Sequence, residues 1–104
     1  MAKSLYTIQM DLKKANDAAA KLEKVARELR KLESGKFQTE INGIVADWKG
    51  QNANDYVAKC RQLKNKLIII SDQLYKTADL IRTAAKNTYN AERKAYNIAL
   101  VQKK

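Results

Sequence analysis

Through Ala53, Tyr56, Cys60, Leu63, Leu67, Ile70, Leu74, Thr77, Ile81, Ala84, Thr88, Ala91, Ala95 and Ile98, small and apolar residues recur in unbroken steps of three and four. Only an α-helix gathers such positions on one face. A stripe this long cannot close a globular interior by itself, so it predicts one long helix lying along other helices. The first half repeats the pattern at Ile8, Leu12, Ala15, Ala19, Leu22, Ala26 and Leu29, and Val25 and Leu32 widen the stripe beyond a narrow seam. A helix that touches more than one neighbour carries such a widened stripe.

After Leu29 the register slips. The next set is Phe37, Ile41, Ile44 and Trp48, and the step from Leu29 to Phe37 is eight residues where a heptad has seven. An insertion of this kind locally unwinds a supercoil. Ser34-Gly35 falls inside it, which predicts a kink or short break at 34–36, because glycine costs about 1 kcal/mol against alanine in a helix interior. A true loop at this point would give three helices instead of two.

Turn signals cluster once, in Asp47-Trp48-Lys49-Gly50-Gln51-Asn52-Ala53-Asn54-Asp55. Gly50 suits the left-handed residue that ends a helix; Gln51 or Asn52 can start the next, with Asn52 the better cap and Asp55 favourable in the first turn. So short a connection forces an antiparallel hairpin. The absence of proline and the presence of only three glycines agree with long helices. The expectation is an all-α single domain over 1–104, with helix 1 about 4–47, a turn about 48–52 and helix 2 about 53–98. A two-helix hairpin cannot cover both stripes with itself. Leaving on the order of 1,000 Å² wet forgoes about 25 kcal/mol before entropic costs, so the hairpin is expected to dimerise into an elongated four-helix bundle. The dimer and hairpin seam is assigned to Leu22, Leu29, Phe37, Ile41, Tyr56, Leu63, Leu67, Ile70, Leu74 and Ile81.

Charge divides unevenly. Residues 1–48 hold nine Lys/Arg against seven Asp/Glu, and 49–104 hold twelve against four, for a net +10. Such an excess attracts nucleic acid, anionic lipid or an acidic protein. Lys59, Arg61, Lys64 and Lys66 keep open a small basic nucleic-acid-binding protein, and the helical pattern alone keeps open a structural coiled-coil subunit. Catalysis is disfavoured: there is no histidine, no cysteine pair and no glycine-rich phosphate loop. No cofactor, metal site or small-molecule substrate is expected. Cys60, the only cysteine, reads as a small buried apolar residue. The opening residues lack the continuous apolar stretch of a secretory signal, and the longest strongly aliphatic run, Leu67 to Ile70, falls far short of the ~20 residues that span a bilayer. Stable membrane insertion is therefore not expected, and any export would proceed without a cleaved signal peptide.

Trp48-Lys49-Gly50, near the middle of a chain of about a hundred residues and flanked by two amphipathic helices, resembles the Trp-Xaa-Gly (WXG, ESAT-like) family of small type VII secretion substrates. The resemblance spans the whole length. It implies a helical hairpin that dimerises with itself or a relative into a four-helix bundle, passes from the cytoplasm through a type VII secretion ATPase of Gram-positive bacteria and mycobacteria, and acts as a virulence-associated effector or as escort for a larger toxin. Partners would then be a second copy, a related helical protein or the helical N-terminal region of a secreted toxin. In that family the turn Trp and Gly combine with a Tyr-Xaa-Xaa-Xaa-Asp/Glu signal on the partner; Trp48 and Gly50 match the first part. Tyr75 and Asp79 satisfy the second by spacing but lie far from the tail, whereas Tyr89 has Glu92 three residues on and Arg93 four on, and misses it. The strong positive charge also departs from many members and favours an acidic partner. Trp48 is equally explained as a core aromatic closing the turn, and Tyr75 with Asp79 as a solvated pair.

Leu67→Asp, in the middle of the second stripe, is expected to abolish assembly, because an unpaired charge in an apolar contact costs several kcal/mol. Light scattering of the variant against the parent checks this.

Overall fold

The computed structural model describes residues 3–102. Helix α1 (Leu5–Leu32) runs into a single π turn (Glu33–Phe37), which runs into α2 (Gln38–Asp47); α3 (Gln51–Gln102) follows after three residues. No strand occurs among the described residues, and none of the helices is long and apolar enough to cross a membrane. The start of α1 is capped by Ser4, whose hydroxyl accepts the Thr7 backbone N–H at 3.1 Å.

The eight-residue step is absorbed without a loop. A π turn closes on i→i+5 hydrogen bonds and so holds one residue more than an α turn, which is the one residue by which Leu29 to Phe37 exceeds a heptad. Glu33–Phe37 contains the predicted Ser34-Gly35 break point. The Ser34 hydroxyl donates to the Arg30 carbonyl one turn back at 2.9 Å, satisfying an acceptor where the α ladder is interrupted. The helix therefore continues where a kink or break is expected from sequence.

Two compact units divide the chain: the described residues of Met1–Leu22 with Lys76–Lys104, and Glu23–Tyr75. In the first, the α1 and α3 limbs bury Ile8, Ala19 and Ala78. Lys3 Nζ donates to Asp11 Oδ2 at 3.0 Å and to Glu92 Oε1 at 3.1 Å. Those two carboxylates, Asp11 first, hold the Lys3 ammonium above its ordinary pKa. A cleft of about 330 Å³ opens beside them, walled by Ile8, Leu12, Ala15, Ile81, Ala85 and Tyr89.

In the second unit the limbs are antiparallel: Ala26 pairs with Ser71, Arg30 with Asp72, and Glu33 with Lys64, so partners on α3 descend as residues before the turn ascend. Ala26, Ile41, Ala53, Val57 and Ser71 are buried. The Ser71 hydroxyl donates to the Ala26 carbonyl at 3.0 Å. This contact is available because neither residue has a side chain large enough to hold the backbones apart.

The inward line of α1 is the expected one, and that of α3 is only half so. Cys60, Leu67, Leu74 and Ile81 face inward and are half-buried, but the alternate positions that pack are Val57, Lys64, Ser71, Ala78 and Ala85. Tyr56, Leu63 and Ile70, assigned to the seam from sequence, stand one residue before them and remain exposed; they are not part of the hairpin's own seam. Of the other residues in that assignment, Ile41 is buried, and Leu22, Leu29, Phe37, Leu67, Leu74 and Ile81 are half-buried. The second helix also runs further at both ends than its expected 53–98, starting at Gln51 and reaching Gln102.

Lys64 is the one charge on the inward line of α3 in this unit. Its ammonium pairs with Glu33 Oε1 at 3.4 Å and donates to Gln38 Oε1, and Gln38 donates in turn to Asn42 Oδ1 at 2.9 Å. Glu33 and Gln38 are five residues apart, a separation that only a π turn brings back to one direction. Glu33→Ala is expected to destabilise the fold by about 1–3 kcal/mol by leaving a shielded ammonium with one partner fewer, whereas the double variant Glu33→Ala/Lys64→Met should restore most of that loss because it removes both charges together with their desolvation cost. Urea denaturation of the two variants checks both.

Candidate functional site

Residues flanking an inward line decide what a hairpin presents to other molecules. Val25 and Leu32 immediately precede Ala26 and Glu33 on α1, and Tyr56, Leu63 and Ile70 immediately precede Val57, Lys64 and Ser71 on α3. Stepping back one residue rotates a side chain by about 100° about its helix axis. In two antiparallel limbs that rotation carries both sets to the same side. Those five residues of the Glu23–Tyr75 unit keep 40–51% of their surface exposed. The opposite side carries the Arg30–Asp72 ion pair, with Arg30 Nη2 to Asp72 Oδ1 at 2.6 Å. The unit is therefore polar on one side of its seam and apolar on the other.

Trp48 adjoins this apolar side. Helix α2 ends at Asp47, and Trp48 takes an extended backbone (φ −119°, ψ 122°) while its N–H still donates to the Ile44 carbonyl at 2.9 Å. The indole lies 5.9 Å from the Tyr56 ring, centroid to centroid, at an interplanar angle of 50°, within the range of favourable aromatic pairs. It is 47% exposed. Trp48 thus fits neither a fully buried closing residue nor a free one: one part of the ring rests on Tyr56 and the rest meets solvent. A cleft of about 580 Å³ opens at the turn, lined by Val45, Trp48, Gly50, Val57 and Arg61 among others.

Gly50 plays a different part from the one expected. It does not stop the first helix, which has already ended three residues earlier; its carbonyl accepts the Asn54 N–H at 3.1 Å, and it stands immediately before α3. Its φ of +115° is a conformation that side chains disfavour. Asn52 lies inside α3 and is not its cap, and Asp55 falls beyond the first turn, which carries no acidic residue, and accepts a hydrogen bond from Gln51 Nε2 at 3.0 Å.

Tyr75 is half-buried and Asp79 exposed, and neither side chain makes a hydrogen bond or ion pair among the described residues. Cys60 is a free, half-buried thiol. The basic group Lys59, Arg61, Lys64 and Lys66 does not form one surface, since Lys64 turns inward to Glu33 and Gln38. What sequence reading missed is that polar pairing; its signal was Glu33 and Gln38 on either side of the extra residue. Among the described residues no cluster of three or more His, Cys, Asp or Glu has the arrangement of a metal site.

A Cβ added at Gly50 would meet no atom within 4 Å, so Gly50→Ala isolates the backbone strain. A loss of about 1–2 kcal/mol in unfolding free energy, with helicity retained, is expected by circular dichroism and denaturation. No protein-family model matches the chain, and neither the curated proteins nor the solved structures contain a match to it.

Proposed function

We propose that this protein acts by helix–helix binding and not by catalysis, as a WXG-type, ESAT-like secretion substrate that serves as effector or as escort for a co-secreted partner. The observation that carries the binding part is the apolar side of the Glu23–Tyr75 unit, where Val25, Leu32, Tyr56, Leu63 and Ile70 are left uncovered. Burying such a patch against another amphipathic helix or hairpin gives the favourable burial that the hairpin cannot provide for itself. On this reading the described fold is one half of a four-helix bundle.

The export part rests on the Trp48-Lys49-Gly50 turn. A half-exposed indole tilted against Tyr56, beside a glycine with a positive φ, gives a partner or a secretion ATPase a shaped aromatic surface at the turn. Tyr75 and Asp79 are proposed as a secondary export signal. The nucleic-acid reading loses its motivating cluster with the inward turn of Lys64, and is not advanced.

Trp48→Ala is expected to lower the amount of protein in the culture medium of a strain with an intact type VII system while leaving far-UV circular dichroism unchanged. Export at the parent level from a strain lacking the ATPase would refute the secretion reading.

A further inference from the structure

Resting on the reading of the Glu23–Tyr75 apolar side as a docking face, we propose that its occupant is an acidic amphipathic helix of another protein and not a second copy of this chain. The argument comes from what borders the apolar line. Lys59 lies three residues after Tyr56 and four before Leu63, and Lys66 lies three after Leu63 and four before Ile70. Those steps keep both lysines on the same side of α3, just outside the apolar residues. On α1, Glu28 holds the corresponding place between Val25 and Leu32, with Lys24 and Lys31 next to it.

All four lysines are exposed, and none forms an ion pair among the described residues. By contrast, the cations with partners in this unit are elsewhere: Arg30 on the polar side and Lys64 in the seam. A helix laid along Tyr56, Leu63 and Ile70 sets its own flanking residues against Lys59 and Lys66, and carboxylates there are the complementary choice. A second copy offers Glu28 alone against the two lysines and brings a net charge of +10 to a chain that already carries +10. Glutamate-flanked apolar helices thus match the face in shape and in sign.

The test uses the full chain and two synthetic amphipathic peptides of about four heptads, both with leucines at alternating three- and four-residue steps. One is flanked by glutamate and the other by lysine; binding is followed by fluorescence anisotropy at low and high salt, beside the mass of the chain alone. The glutamate peptide is expected to bind at least about tenfold tighter than the lysine peptide, to weaken with salt, and to lose that preference with Lys59→Glu/Lys66→Glu. Leu63→Ser should weaken it as well. Equal binding of the two peptides, or a preference unchanged in the double variant, would overturn the proposal. A stable dimer of the chain that excludes both peptides and dissociates with Leu63→Ser would overturn it while leaving the docking reading intact. A monomer that binds neither peptide would remove both.

Discussion

Ala26 and Ser71 meet across the two limbs of the Glu23–Tyr75 unit, and much else in that unit follows from their contact. The Ser71 hydroxyl reaches the Ala26 carbonyl at 3.0 Å and both residues are fully buried. A serine on the inward line needs a partner once it leaves water, and a carbonyl supplies one only when the opposite helix is near. Small residues permit that approach, and the hydrogen bond fixes it along the helix. Larger residues one step earlier, such as Ile70, then have no place in the seam and are left on its flank.

The π turn and Lys64 belong to the same arrangement. One residue more than a heptad must be accommodated between Leu29 and Phe37 if both are to keep facing the seam, and the π turn accommodates it without unpairing the backbone over a longer stretch. In doing so it brings Glu33 and Gln38 together, and Lys64 occupies the space between them. A shielded ion pair adds little net stability. Its value is positional: a shift of α3 along its partner would strand the ammonium among apolar side chains.

A hairpin closed through its smaller residues has surplus apolar surface. Tyr56, Leu63 and Ile70 on α3 and Val25 and Leu32 on α1 collect on the side opposite the Arg30–Asp72 pair, and Trp48 extends the same apolar character to the turn through Tyr56. On the proposed reading, this is the surface that another amphipathic helix covers. Exposed Lys59 and Lys66 border that surface, and charges in such a place bear on partner choice more than on raw affinity.

The sequence by itself determined the helical class, the position of the turn, the inward line of α1 and the point where the first helix departs from α geometry. Each is written in local spacing: three-four steps, a single eight-residue interval, and one cluster of turn residues. Tertiary structure alone decided that the interval becomes a π turn, that Gly50 precedes α3 instead of closing the first helix, and that α3 turns Val57, Lys64 and Ser71 inward in place of Tyr56, Leu63 and Ile70. Periodicity finds the most apolar line on a helix, but which line packs depends on how closely the partner can approach. That distance is set by the small residues and polar partners on the opposite limb, and no pattern within one helix contains it.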